Sequence, residues 1–396
     1  MPLQIHKEPN RSLPTTEGYS FVHASSWVEI SRAAFEHNIA QYRSVIGEHK
    51  QLAVVIKSNA YGHGIAEIAQ LCEQLPVVDW LCTVSLSEAL ATRAHGIRKP
   101  IFVLSYLDAD LRLAVQQEID LVVYDQWTLD QLEHIGQQLN KFVYVHVKVD
   151  TGLSRLGLAP HKALELILAA YGMAHIKVRG IFTHLAESEK SGEGFTKQQV
   201  IALQTVLAQL AEKGMSIPLV HFSCTAALTV VEDTRYTFGR LGLGVYGLWP
   251  SQETKEVTQE RYPGFTLEPV MSWKTRVIQV KTVPVGSYVG YGRTFCTQRE
   301  TLLAVLPVGY WDGYARGLSN RAEVLINGSL APVVGRVSMN LTTIDVTEVP
   351  NVTVGSVVTL LGDHPALSPD TLAATLGTIN WEVVTRINPL VPRVVV

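Results

Sequence analysis

The sequence predicts an α/β fold, an N-terminal (β/α)8 barrel followed by a mostly β C-terminal domain. Two observations carry that prediction. From about residue 30 to 250, short apolar runs alternate with stretches of helical periodicity, and about eight such runs occur. After Pro269 the texture turns strand-rich and is broken by Gly, Pro and Asn-Gly turns. A chain of 396 residues is long enough for a barrel and a second module. A doubly wound open sheet would produce much the same string in the first part, so periodicity alone leaves both arrangements open.

Residues 1–25 read as a polar tail. Its opening, MPLQIHKEPNRSLPTTEGYS, has no apolar stretch of the kind a secretory leader carries. The barrel is expected over 26–264. Its strand candidates are LAVVI at 52–56, WLCTV at 80–84, IFVL at 101–104, LVVY at 121–124, FVYVHVKV at 142–149, KVRGIF at 177–182, PLVHF at 218–222 and the less regular TFGRLGLGVYG at 237–247. Each is rich in β-branched residues without clear alternation, which suits parallel strands buried on both faces. Between them Phe35, Ile39, Tyr42 and Ile46 recur at helical spacing, as do Val200, Leu203, Leu207 and Leu210. The β domain is expected over 265–396, with strands in KTRVIQVKTVPVGSYVGYG, TLLAVLPVGY, AEVLINGSLAPVVGRVSM and LTTIDV. Asn327-Gly328 between apolar runs marks a hairpin. Only TLAATLG at 371–377 reads as helical there.

Hydrophobic residues make up 47% and charged residues 17%, ample for a buried core. A formal net charge of −3 with no long basic run gives no sign of a nucleic-acid partner. Cys72, Cys82, Cys224 and Cys296 lie far apart with no CxxC pair, which reads as reduced thiols in a cytoplasmic protein. No stretch reaches the roughly 18 apolar residues of a membrane span. The 13 histidines show no HExxH or comparable spacing, so no metal site is expected.

The most informative stretch is AVVIKSNAYGHG, residues 53–64. Lys57 directly follows an apolar strand, at the C-terminal mouth where barrels place their chemistry. Partial desolvation there lowers an amine's pKa, and only a neutral amine attacks an aldehyde. The following turn, Ser58 to Gly64, is polar and glycine-rich and carries a phenol at Tyr61, a group able to donate to a phosphate. This K-x-N-A-Y-G-H-G string resembles the cofactor-lysine signature of the alanine racemase family. The resemblance covers roughly residues 26 to 396. It implies pyridoxal 5'-phosphate on Lys57 and the reversible interconversion of L- and D-alanine, which feeds cell-wall peptidoglycan.

Further motifs agree. VKVDTGLSRLG, residues 147–157, carries Arg155, whose family counterpart binds the cofactor's phenolic oxygen and the substrate carboxylate. Lys148 matches a position that is carbamylated in several members. His184, in Thr183-His184, matches the histidine near the pyridine ring. In HFSCTAA, residues 221–227, Cys224-Thr225 stand where the family usually has Asn-Ser, and the hydroxyl of Thr225 can still meet phosphate at a helix start. FGRLGLGVYG, residues 238–247, supplies Arg240, which in the family faces the pyridine nitrogen, with Gly242 and Leu243 offering backbone N–H groups to phosphate. A carboxylate at Arg240's position would keep that nitrogen protonated and favour side reactions. An arginine does not, and so favours removal and return of one proton.

Racemisation without a swinging base needs one base on each face. Lys57 serves one face, and the resemblance assigns the other to Tyr291 in SYVGYGRTF. Tyr310 in LPVGYWDGYAR and Met339 in GRVSMN match residues that line the substrate entrance and bind its carboxylate. In the family these three residues complete the partner's site, which implies a head-to-tail homodimer acting on a small amino acid. Four positions stand out against the pattern. Asn340 stands where Asp is usual, Pro389 stands where a phosphate-binding tyrosine is common, and Cys224 together with Ser338 sits near pocket positions that tune substrate size. A broader racemase acting on serine shares these motifs. A fold-type III decarboxylase would generally carry an acidic residue in place of Arg240, and a single-barrel cofactor carrier would lack the domain that holds Tyr291.

Overall fold

The computed structural model describes residues 25–189, 194–231 and 236–396, so the polar tail lies outside the described residues apart from Ser25. The first strand, β1 (Ser26–Ile30), joins the second domain. The barrel is built from β2 (Gln51–Val55), β3 (Trp80–Ser85), β4 (Ile101–Tyr106), β5 (Leu121–Val123), β6 (Val143–Lys148), β7 (Ile176–Phe182), β8 (Leu219–His221) and β9 (Phe238–Leu241). All these pairings are parallel, and β2 lies between β3 and β9, which closes the ring. Two seams are thin. The bridge from Phe102 to Asp120 joins β4 to β5, and Thr237 N–H to Val220 O at 2.9 Å and Arg240 N–H to Ser223 O at 3.1 Å join β8 to β9. Closure decides for the barrel over the open sheet.

Local chemistry accounts for the outer helices. The helix Arg32–Ile46 starts where Ser31 Oγ accepts from Ala34 N–H, and it buries Phe35, Ile39, Tyr42 and Ile46 in the core, beside the turn Leu243–Tyr246 and the helix Thr225–Val230. Burying such a side chain stabilises by about 2 kcal/mol each. Asp110 and Asp125 cap the helices Leu111–Gln116 and Gln126–Leu139 in the same way. In the helix Phe195–Ala211, Val200, Leu203 and Leu210 are buried, while Leu207 packs only partly and Val206 takes its place on the inner face.

The second domain continues with β10 (Met271–Arg276), β11 (Gln279–Val283), β12 (Tyr288–Val289), β13 (Phe295–Cys296), β14 (Thr301–Leu306), β15 (Glu323–Ile326), β16 (Ser329–Pro332), β17 (Thr342–Asp345), β18 (Val357–Leu361) and β19 (Arg393–Val395). Its main sheet runs β16-β15-β18-β10-β1-β19, so the first and last described strands are neighbours. The expected hairpin is present between β15 and β16, with Asn327 at φ 47° and Gly328 at φ 80°. Helical structure here is not confined to 371–377. Pro369–Leu376 is helical, and so is Asn380–Thr385, whose Trp-Glu-Val-Val-Thr composition reads as strand. The second helix forms because it docks on the barrel mouth, which local propensity does not encode.

Candidate active site at the barrel mouth

The C-terminal ends of the barrel strands open on a cavity of about 450 Å³. Lys57, Ser58 and Tyr61 reach it from the turn after β2, Lys148 from the end of β6, and Arg155 from the loop beyond. Phe182 and His184 come from the end of β7. Cys224 and Thr225 follow β8, Arg240 sits on β9, and Gly242 and Leu243 follow it. Ten of the residues singled out from sequence therefore meet in one cavity: Lys57, Tyr61, Lys148, Arg155, His184, Cys224, Thr225, Arg240, Gly242 and Leu243.

The turn after β2 is left-handed. Ser58, Asn59, Ala60 and Tyr61 have φ between 52° and 56°, which costs an L-residue about 1 kcal/mol or more each. Its surroundings hold it there. Ser58 N–H donates to Glu88 Oε1 at 2.6 Å, and Ile65 N–H donates to Asn59 Oδ1 at 2.8 Å. His63 Nδ1 faces the carbonyls of Ala60 and Tyr61 at 3.1 and 3.0 Å, so that nitrogen carries the proton. Arg393 binds the Gly62 carbonyl through Nη2 at 2.9 Å and Nε at 3.2 Å, which ties the turn to the last strand.

Gly62 closes the turn at φ +84°, and a Cβ there would stand 2.1 Å from the Val384 carbonyl oxygen on the helix Asn380–Thr385. Gly62→Ala is expected to destabilise the protein by about 2 kcal/mol or more in urea unfolding. Gly47→Ala provides the comparison, since Gly47 has φ +81° but nothing within 4 Å of a new Cβ. Its cost should stay near 1 kcal/mol. Equal losses in the two variants would show that the docked helix does not press on the turn.

The cavity is cationic. Burial lowers the Lys57 amine from its usual range, and the neighbouring Arg155 and Arg240 lower it further against an opposing pull from Glu88. Lys148 is pushed down to about 8 by burial and by Arg240, Arg155 and Lys57. His184 is held down to about 3 by burial and the same cations, so its ring is neutral. Glu189 is the one carboxylate among the described lining residues, and burial raises its pKa.

Arg240 is 3% exposed and anchored on its inner side. Its Nη1 donates to His221 Nδ1 at 2.8 Å and to His221 O at 2.9 Å, and Nη2 donates to Thr183 O at 2.9 Å. Beside it, Gly242 and Gly244 N–H point at Thr225 Oγ1, at 3.1 and 3.3 Å. A Cβ on Gly242 would stand 3.0 Å from the Tyr61 hydroxyl, so any larger residue would crowd this corner. Backbone N–H groups, two hydroxyls and several cations together suit an anion of the size of phosphate.

Sequence reasoning missed Leu104, Ser105, Ser188, Glu189, Pro250, Trp381 and Thr385 on the wall. Ser188 Oγ lies 3.1 Å from Cys224 Sγ, so the thiol has a partner inside the cavity. Tyr291, Tyr310 and Met339 do not line this cavity within one chain. They lie on the second domain, 73%, 43% and 55% exposed. Tyr288, Trp311 and Leu341 are exposed there as well, so the domain shows several uncovered aromatic and apolar side chains.

Two family models match the chain: "Alanine racemase, N-terminal domain" over residues 30–250 and "Alanine racemase, C-terminal domain" over 270–395. An alanine racemase of Methanococcus maripaludis is 38% identical, the match covering 93% of this chain and 98% of that one. One from Desulfovibrio desulfuricans is 36% identical over the same shares. The solved structure of alanine racemase from Clostridium difficile superposes with a TM-score of 0.88 at 30% identity, covering 94% of this chain and 96% of that one. Two domain models in register with barrel and β domain, and relatives aligned over nearly their whole length, place the chain in one family: it belongs to the alanine racemase family.

Proposed function

We propose that this protein racemises alanine with pyridoxal 5'-phosphate as cofactor, and that it supplies D-alanine for cell-wall peptidoglycan. The observation that carries this reading is the pairing, in one cavity, of a lysine amine lowered toward neutrality with a buried arginine, Arg240, in place of a carboxylate. The cavity residues fit the cofactor. Tyr61, Thr225 and the backbone N–H groups of Gly242 and Leu243 would hold its phosphate, in the corner that a Cβ on Gly242 would crowd. Lys57 would hold its aldehyde carbon, and Arg240 would face its ring nitrogen. When bound, it delocalises charge developing at the substrate's α-carbon.

The remaining work falls to this chain's own groups. Arg155, at the exposed rim, offers a fork to the substrate carboxylate. Lys57 Nζ, its pKa lowered by burial and the neighbouring arginines, takes or returns the α-proton on one face. Tyr291 from a second copy of the chain does so on the other, with Tyr310 and Met339 of that copy narrowing the entrance. The exposure of these three residues in a single chain supports a homodimer with shared sites. Among the described residues no helix is long and apolar enough to cross a membrane, and the four cysteines are free, which supports a reducing cytoplasmic setting.

Lys148 would carry a carbamate that balances Arg155. Its amine, pushed down to about 8, is neutral often enough to take up carbon dioxide. A carbamate carbon resonance should appear with labelled bicarbonate and vanish in Lys148→Gln. Its absence from the unsubstituted protein would remove this part of the reading.

The deciding assay follows chirality and α-deuterium exchange with L-alanine, L-serine and L-lysine, with and without the cofactor. Cofactor-dependent D-alanine, formed fastest of the three products, supports the proposal. Carbon dioxide release, or no exchange at all, would overturn it.

A further inference from the structure

A (β/α)8 barrel is ordinarily filled with branched aliphatic side chains. This one carries a polar chain through its interior. Arg240 Nη1 meets His221 Nδ1 at 2.8 Å, and His221 Nε2 meets His146 Nδ1 at 2.9 Å. His146 Nε2 meets Asp120 Oδ2 at 3.1 Å, and Arg179 Nη1 meets the Asp120 carboxylate at 2.8 and 3.0 Å. Asp120 lies just before β5, at the end of the barrel away from the cavity, and is 1% exposed. His146 and His221 are fully buried. Phe102 stacks on His146 and Phe182 on His221, with ring centroids 4.1 and 4.8 Å apart. A Cβ on Gly180 would fall 2.1 Å from His146 Nδ1, so glycine makes room for the ring.

The direction of every bond in this chain is determined. A guanidinium only donates, so His221 Nδ1 must accept from Arg240 and carry no proton. A neutral His221 then has its proton on Nε2 and donates to His146 Nδ1. His146 in turn has its proton on Nε2 and donates to Asp120. Protonating either ring would set N–H against N–H, and the surroundings oppose it. His221 faces Arg240, His146 and Lys148, and His146 faces Arg179 and Arg240 as well as Asp120. Arg240 commits both Nη1 hydrogens and one on Nη2 to this inner side. Its remaining Nη2 hydrogen and its Nε–H are left for the cavity.

We propose that Asp120 is a positioning residue for the active site: through the matched tautomers of His146 and His221 it fixes Arg240 where it meets the cofactor's ring nitrogen. This rests on the function proposed above. Asp120→Asn changes one atom and should reverse the chain. Arg179 can only donate, so it captures the one amide oxygen and turns the amide NH2 toward His146 Nε2. His146 must then carry its proton on Nδ1, His221 must do the same, and that proton points at Arg240. Removing Arg179 as well frees the amide oxygen to turn back, so Asp120→Asn/Arg179→Met should restore the original polarity.

The first measurement is the histidine ¹⁵N spectrum of the cofactor-loaded, unsubstituted protein. His146 and His221 are expected as Nε2–H tautomers that do not titrate near the ordinary histidine value of about 6.5. A protonated Nδ1 on either ring overturns the proposal, and this result needs no variant to fold. Asp120→Asn should show Nδ1–H tautomers and a shifted pH titration of the bound cofactor's absorbance. Its kcat for alanine should fall by about tenfold or more with KM within about twofold. The double variant should recover both spectrum and kcat. An Asp120→Asn protein with unchanged tautomers and unchanged kcat overturns the assignment. The tautomers are read without substrate, so correct tautomers in a protein that does not racemise alanine would sink the activity and leave the relay standing.

Discussion

Lys57→Ala will lower alanine racemisation by about four orders of magnitude or more, because the variant loses both the amine that would hold the cofactor and the base proposed for one face. The competing candidate is Lys148, a second amine of lowered pKa in the same cavity. Position separates them. Lys148 is 4% exposed and its Nζ lies 3.4 Å from the Leu104 carbonyl, whereas Lys57 opens the strained turn that carries Tyr61 and leads to the corner proposed for phosphate. Borohydride treatment followed by peptide mapping should find cofactor fixed on Lys57 in the unsubstituted protein and in Lys148→Gln, and nowhere in Lys57→Ala. Label on Lys148 would reverse the assignment. Loss of activity will not reflect unfolding. Lys57 is held near Arg155, Arg240 and Lys148, which disfavour its charge against the pull of Glu88, so its removal relieves repulsion. Unloaded Lys57→Ala should be at least as stable as the parent, with any gain about 1 kcal/mol.

What the sequence disclosed and what it hid divide along physical lines. The eight apolar runs stand out because parallel strands buried on both faces need uninterrupted apolar side chains, and β2 to β9 fall within a few residues of them. Asn327-Gly328 was legible because few other pairs adopt positive φ twice in succession. The left-handed turn after Lys57 was not. Ser-Asn-Ala-Tyr has no glycine, and its conformation is imposed by Glu88, Arg393 and the docked helix rather than by preference. That helix was hidden for the same reason, and with it Trp381 and Thr385 on the cavity wall. The pairing of Val28 with Arg393 joins the two ends of the described chain, and no local pattern encodes it. His146 and His221 sit inside strand runs where they read as isolated polar interruptions. Their meaning appears only when Asp120 and Arg240 are seen at the two ends.

Tyr291 poses the sharpest test, since it is 73% exposed and stands outside its own chain's cavity. Tyr291→Phe should bind the cofactor normally and lose about 10²- to 10⁴-fold in kcat. In deuterium oxide it should still exchange the α-proton of one alanine enantiomer, through Lys57, while exchange of the other stops. If each site takes Lys57 from one chain and Tyr291 from the other, the two inactive variants will rescue each other when mixed. In a Lys57→Ala/Tyr291→Phe mixed dimer both substitutions fall in one site, and the second site keeps both native bases. Random reassortment makes about half the dimers mixed, each with one of its two sites intact, so activity should return to about a quarter of the parent's. A site built within one chain predicts no rescue, because every site in every dimer would carry one substitution. Rescue therefore depends on which chain supplies the second base, a property that neither variant reports alone. A mixture as inactive as its components would remove Tyr291 from the shared site, while the role of Lys57 would stand on its own mapping.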